Sequence, residues 1–443
     1  MKKILTRAKK LFCIMLTALL LTLQASIFAQ AAMYDEDKIA SPYAAVYNVE
    51  NGTFIFEKNA DEIISSTATA KLMTAIIALE YYGGDLSATV EVTSASLQNL
   101  DKFRAGLKVG ESVTVKDLIY TMLIGNCTDS AAVLAYSIGG THGAFGKMMN
   151  AKAAELGLTN TVYPSATGVG ADIKTYHTTV RDSVLLSAYA MQIPLLSEIV
   201  NTTKYSPVSM DSPITDTVYT RNAFLSKWVY QDYFWESKQG SPSPSGVCFT
   251  YSDESGYSLI SSTNYRSLTY ICMCSGAFEN YDKKISAYGD VKRLLLWAAD
   301  EYTIVKVLDK AQIFGEIPVK LSEQSNYVVV VPEDSLYVFL PHDTNISAEI
   351  KQVYEITVHE LTAPVTKGHV VGTLYLYRNG EQIASCNLVT KTPVERSASL
   401  AFQAEFFSFK TVITIVLMLL SAGLFGIIRF FVFLSMAKAR SSE

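Results

Sequence analysis

Residues 68–74 read Ala68-Thr69-Ala70-Lys71-Leu72-Met73-Thr74, approached through Asn59-Ala60-Asp61-Glu62. Leu72, Ile76 and Leu79 recur at spacings of four and three, which predicts a helix from Thr69 to Tyr82. Gly83-Gly84 stops it. Upstream, Tyr43–Tyr47 and Thr53–Phe56 are short apolar runs flanking Glu50-Asn51-Gly52, a hairpin signal. Downstream, helical patterns run over Val115–Leu123, Asp129–Ile138, Ala144–Leu156 and Val180–Met191. Strand patterns return from Ser245 to Ala277, with Ser258–Ser262 and Ser267–Cys272 as neighbours joined through Asn264. A last helix is expected from Asp282 to Tyr302. Strands, then helices, then strands predict an α+β domain with helices on an antiparallel sheet.

After Tyr302 the pattern changes. Short strands are expected near Val305, Val319, Val328, Tyr337, Ile356, Gly372 and Ile383, with turns at Pro332-Glu333-Asp334 and Asn379-Gly380. This reads as a small all-β sandwich. The expected organisation is a leader at 1–31, an α+β domain at 33–302, a β-domain at 303–395, a linker at 396–410, a transmembrane helix at 411–434 and a cytoplasmic tail at 435–443.

The two ends carry the compartment argument. Lys2, Lys3, Arg7, Lys9 and Lys10 precede the apolar run Leu11–Leu23, and Ala29-Gln30-Ala31 follows. A basic start, a short apolar core and an Ala-x-Ala site are the signature of a signal peptide. Thr411–Ile428 is an uncharged run of 18 residues, about 27 Å long as a helix. Lys438 and Arg440 close the chain, so the positive-inside rule keeps the tail inside and the body outside.

The chain has 443 residues, with 37 Lys and Arg against 42 Asp and Glu, a net charge of −5. The first 31 residues hold five bases and no acid, which leaves −10 on the remainder. An acidic body lacks the cations to neutralise phosphates, which argues against nucleic-acid binding. An apolar content of 49% excludes a mainly disordered chain. Cys13 sits in the leader, and Cys127, Cys248, Cys272, Cys274 and Cys386 remain beyond it. That odd number, without framework spacing, reads as buried free thiols. The five histidines are scattered, and His359-Glu360 lacks a second His four residues after His359, so no metal site is expected. No cofactor is expected either.

At Ala68–Thr74 the sequence resembles the D-alanyl-D-alanine carboxypeptidases, the low-molecular-weight penicillin-binding proteins, whose pattern here is Pro-Ala-Ser-x-Thr-Lys-x-Met-Thr. The match continues through Gly106-Leu107, Gly110-Glu111, Phe145, Met149-Asn150, Leu156-Gly157 and Thr161. Asp253-Glu254-Ser255-Gly256-Tyr257 and Ala363-Pro364-Val365-Thr366-Lys367-Gly368 with Val371-Gly372 extend it, so that it covers about residues 40–395. The resemblance implies a penicillin-binding-protein/β-lactamase-like transpeptidase fold, followed by the β-domain. It also implies acyl-transfer chemistry. A Ser-x-x-Lys pair would supply nucleophile and base from one helix face, with Ser-x-Asn and Lys-Thr-Gly motifs around it.

The motif positions are degenerate. Aligning Lys71 without a gap places Ala68 where the serine belongs. Asn126-Cys127-Thr128 stands for Ser-x-Asn, and Gly246-Val247-Cys248 for Lys-Thr-Gly. The expectation is therefore a membrane-anchored, non-catalytic homologue at the bacterial cell surface. Its cleft would hold a peptidoglycan stem peptide or an envelope protein. The alternatives are an ordinary serine carboxypeptidase, or a hydrolase with a replacement nucleophile at Thr67, Cys127 or Cys248. Against Thr67 stands N-capping by Ser66 or Thr67. Lys71 is expected to pair with Asp129 or another carboxylate, or to satisfy cleft carbonyls, because a buried unpaired ammonium is costly.

Overall fold

A computed structural model describes residues 34–98, 100–169, 172–206, 217–227, 231–252, 256–279, 284–406 and 409–440. The expected leader, Asp253-Glu254-Ser255, Asp282 and the last three residues of the expected tail lie outside them. The chain divides into two compact units, residues 1–303 with 341–343 and residues 304–340 with 344–443.

The first unit is built on a five-stranded antiparallel sheet. Strands β1 (Tyr43–Asn48) and β2 (Thr53–Lys58) form the expected hairpin. They join β3 (Ser243–Ser252), β4 (Gly256–Tyr265) and β5 (Leu268–Ala277) in the order β2-β1-β5-β4-β3. The β4–β5 turn lies at Arg266 and Ser267, both with positive φ, and not at Asn264, which pairs with Thr269 inside the ladder. Two successive positive-φ residues make the tight turn that matches strand twist.

Helix α1 (Thr67–Tyr81) is buried over twelve consecutive residues, Ala68 to Leu79. The sequence shows one apolar stripe, yet this helix is enclosed on every side. It packs against α2 (Val115–Ile124), α3 (Thr128–Gly139), α4 (His142–Glu155), α5 (Val180–Met191) and strand β3. Small residues at Ala70, Ala75 and Ala78 let those neighbours approach, while Leu72, Met73 and Ile76 fill the core. Each of the latter contributes roughly 1.5–3 kcal/mol by burial. Helix α6 (Pro194–Asn201) is too short for its period to stand out in the sequence; Pro194 at its first turn starts it. Helix α7 (Ser286–Glu301) packs on β4 and β5 and ends one residue before the expected Tyr302, which opens the next strand. Alternation on β5 sends Ile271 and Met273 into the core around α1. Cys272 and Cys274 share the other face, both fully buried free thiols, and burial, then the neighbouring Cys274, pushes the Cys272 thiol up.

In the second unit, strands β6 (Tyr302–Leu308), β7 (Gly315–Lys320), β8 (Tyr327–Pro332), β9 (Leu336–Pro341), β10 (Ile350–Ile356), β12 (Val370–Arg378) and β13 (Glu381–Thr390) appear where alternation predicts strands, and β11 (Leu361–Thr362), two residues long, is an addition the pattern does not show. Six form a sheet ordered β10-β12-β13-β8-β7-β11, and β6 pairs with β9. Val330, Val371, Leu374, Leu376 and Leu388 make its core. Residues 302–396 are the expected β-domain, with helix only at its connections and beyond its end. A short helix spans Ile346–Glu349, and the stretch expected to be a linker contains α8 (Ala398–Phe406). Helix α9 (Phe409–Arg440) then includes Lys410–Met436, 27 residues long and apolar enough to cross a membrane.

Candidate functional site

The entry to α1 is fixed by backbone packing. Ser65 ends a short strand whose partner is His177. Ser66 takes the N-cap position, but its hydroxyl makes no capping bond and is buried without a partner. Thr67 does not cap either. Its Oγ1 donates to the Gly168 carbonyl at 2.8 Å and lies 2.8 Å from Ser65 Oγ. A Cβ on Gly168 would meet Thr67 Cα at 2.8 Å, and its φ is +69°, so only glycine lets that carbonyl come so close. In place of the expected capping, the helix is held by the carbonyls of residues 166–168, which accept from Thr74, Lys71 and Thr67.

Ala68 follows in the first turn, and Lys71 lies one turn on along the same face. Ala68 presents a methyl group. Lys71 is 7% exposed, and its Nζ donates to the Thr167 carbonyl at 3.4 Å. The expected pairing with Asp129 is absent. The Asp129 carboxylate instead accepts from the amides of Ala105, Gly106 and Leu107 at 2.9, 2.9 and 3.2 Å, and from Ser130 N–H. Of the expected partners for Lys71, the structure supplies the carbonyl. Burial holds the Lys71 pKa below the ordinary lysine range, against the pull of Asp101 and of the Cys127 and Cys248 thiols.

The second motif position turns the chain into α3. Asn126 adopts a left-handed φ of 59°, and Cys127 stands at the N-cap without a side-chain bond. Thr128 is consumed by the scaffold. Its Oγ1 is 3.0 Å from the Phe103 carbonyl and 3.1 Å from the Asp101 carboxylate, and it accepts from Asp101 N–H.

The third position lies on β3, beside α1 and α6. Gly246 donates its N–H to Asn201 Oδ1 at 2.9 Å, and a Cβ there would sit 2.1 Å from the Val200 carbonyl oxygen. Val247 points into the core. Cys248 donates from Sγ to the Ala68 carbonyl at 3.0 Å. The three stretches, distant in sequence, thus converge around Lys71.

Neither thiol beside Lys71 is activated. Burial pushes Cys127 up to about 12, although Lys71 and Arg221 oppose the rise. Burial likewise pushes Cys248 up to about 12, against Lys71. A group protonated at neutral pH is a poor nucleophile. Asp101, Phe103, Thr167 and Arg221 carry no sequence signal that marks them for this site. Arg221 lies over the Phe103 ring at 4.5 Å, and only tertiary contact brings it here. Among the described residues no group of three or more His, Cys, Asp or Glu can hold a metal ion.

Comparison with known proteins agrees with this architecture. Residues 29–273 match the family model described as D-alanyl-D-alanine carboxypeptidase, and residues 302–396 match penicillin-binding protein 5, C-terminal domain. The chain is 24% identical over 390 residues to D-alanyl-D-alanine carboxypeptidase DacF of Bacillus subtilis, covering 87% of this chain and 94% of that one. It is 24% identical over 386 residues to D-alanyl-D-alanine carboxypeptidase DacC of Escherichia coli, covering 83% and 89%. Among solved structures, penicillin binding protein 6B from Escherichia coli superposes with a TM-score of 0.61 at 19% identity, covering 83% of this chain and 99% of that one. Penicillin binding protein 5 from Haemophilus influenzae gives 0.57 at 21%, covering 81% and 98%. With a family model spanning more than half of it, the chain belongs to the D-alanyl-D-alanine carboxypeptidase family.

Proposed function

We propose that this protein is a non-catalytic member of its family, held at the outer face of a bacterial membrane and acting through binding. Membership supports a role in the cell-wall peptidase system. The observation that carries the reading is Ala68, a methyl group at the position aligned with the serine, one turn before a buried Lys71. Acyl transfer needs a nucleophile with a base in reach. Lys71 has the position of the base and no hydroxyl to serve. Thr67 is committed to Gly168 and Ser65, and both thiols stay protonated. Asn126, Thr128, Gly246, Val247 and Cys248 take the remaining motif positions without the cation that would meet a substrate carboxylate. The ligand in this reading is a peptidoglycan stem peptide or an envelope protein. The leader at 1–31 exports the body, and the apolar helix Lys410–Met436 anchors it.

The test is intact-mass spectrometry of the full chain in detergent after incubation with a penicillin, beside the Ala68→Ser variant. No adduct is expected on the native protein. An adduct mapped to Thr67, Cys127, Cys248 or any other residue would overturn the reading and name the nucleophile.

A further inference from the structure

The six-stranded sheet of the second unit ends at β10, whose one neighbour in it is β12. Residues 351–355 are all exposed, the apolar Val353 and Tyr354 included, at 40% and 49%. Such an edge carries a row of unpaired amides and carbonyls, a template for another strand.

The ladder shows which groups face outward. Thr357 N–H donates to the Val371 carbonyl, one step beyond the Ile356–Gly372 pair. Hydrogen-bonded and non-hydrogen-bonded pairs alternate along an antiparallel ladder. The odd-numbered residues of β10 therefore bond to β12, while Gln352 and Tyr354 turn their N–H and C=O groups to the open edge. The side chains divide with the same period. Gln312 Nε2 donates to Gln352 Oε1 at 2.9 Å, and the Tyr354 ring meets Phe314 edge-on at 5.1 Å, so that face is held by the unit itself. Lys351, Val353 and Glu355 share the opposite face. Neither Lys351 nor Glu355 has an ion-pair partner among the described residues.

This stretch, Lys351-Gln352-Val353-Tyr354-Glu355, is complementary to itself. An antiparallel copy centred on Val353 sets each Lys351 opposite Glu355 of the other copy, and Val353 opposite Val353. Gln352 and Tyr354 of the other copy then exchange the free backbone bonds. The charged pairs fall at non-hydrogen-bonded positions, where side chains approach most closely. A slip of two residues would face Val353 with a charge, and a slip of one would match the wrong faces.

We propose that β10 pairs antiparallel with β10 of a second copy of this chain, about a two-fold axis at Val353. The contact is small, so the dimer is weak and reversible. It is independent of the motif residues and of whether they are catalytic.

The experiment is disulfide capture in the full chain in detergent. Val353→Cys is oxidised with diamide and scored as dimer on a non-reducing gel. Tyr337→Cys, on β9 outside this sheet and 60% exposed, is the control for chance encounter. Val353→Cys is expected to give at least about fivefold more dimer, because facing cysteines at the axis stand within disulfide reach. In that background Lys351→Glu is expected to cut the yield at least about fivefold, by opposing two acids, and adding Glu355→Lys to restore it. Equal capture of the two cysteines would overturn the proposal; it is the result if copies meet only through the membrane-length helix, or if a different protein takes the edge. Capture that ignores Lys351→Glu, or that the charge exchange does not restore, would overturn it as well. All the substituted positions are exposed, and rescue by the exchange shows that the single variant failed through charge and not through folding.

Discussion

Lys71 and Asp129 are both buried and both charged in their ordinary forms, and their surroundings differ sharply. Asp129 collects four backbone amides, three of them from residues 105–107. Lys71 has one carbonyl at 3.4 Å, with the Asp101 carboxylate and two protonated thiols in its neighbourhood but no side-chain hydrogen bond to any of them. A carboxylate bound by that many amides is a structural joint, because it ties a loop to the start of α3. A lysine held by one long bond, with burial outweighing the pull of Asp101, is a residue whose charge the fold compensates poorly. The difference separates a group that holds the fold together from one that occupies a motif position without stabilising it.

The largest expected effect tests the joint. Asp129→Ala leaves three loop amides without their acceptor and should cost about 3–5 kcal/mol, read from urea unfolding. A loss under about 1 kcal/mol would show that the loop holds without it. Next comes Gly246→Lys, which puts back the missing third-motif cation. Its Cβ would lie 2.1 Å from the Val200 carbonyl oxygen, so backbone must move, at about 3 kcal/mol or more. A variant as stable as the native protein, with a fluorescent penicillin bound, would contradict that geometry.

Lys71→Met should be near neutral or stabilising by about 1–2 kcal/mol at pH 7, since it removes a poorly compensated buried ammonium. Its pH signature is the sharper test. The folded pKa of Lys71 lies below the ordinary value of 10.5, so the unfolded chain binds more protons in the window up to that pH. Stability therefore rises with pH across it, and the variant should lose the rise. The thiols act oppositely. Cys127 and Cys248 go from 9.0 to about 12 on folding, so their contribution is full below pH 9 and lost as pH climbs toward 12. Denaturation series from pH 6 to about 11 on native protein and variant separate the two slopes. The smallest effect is expected of Ala68→Ser. With the 126–128 and 246–248 stretches unchanged, one restored hydroxyl should give no penicillin adduct by mass spectrometry. An adduct would make Ala68 the sole disabling change.

Much of the architecture is legible in the sequence because it is written in local periodicity. Val180–Met191 coincides residue for residue with its helix, and Asn379-Gly380 makes the β12–β13 turn with both residues at positive φ. Local pattern misleads where tertiary packing decides. The burial of α1 on all faces comes from the helices around it. Helix α6, eight residues long, offers too short a run to read. The stretch before the membrane-length helix looks like a linker because Ala398–Phe406 has hardly any amphipathic contrast.

The sequence by itself determined which side chains occupy the motif positions: an alanine, a lysine and two cysteines are facts of composition that no packing can alter. It also determined the order of strands and helices, since periods of two and 3.6 residues follow from backbone geometry. Only the tertiary structure decided what those side chains meet. It gave Asp129 to the loop amides, Lys71 to the Thr167 carbonyl and the Cys248 thiol to the Ala68 carbonyl. It also placed β10 at the edge of its sheet. Hydrogen bonding and burial depend on distance in space, and residues such as Ala68 and Cys248, 180 positions apart, acquire that distance only when the chain is folded.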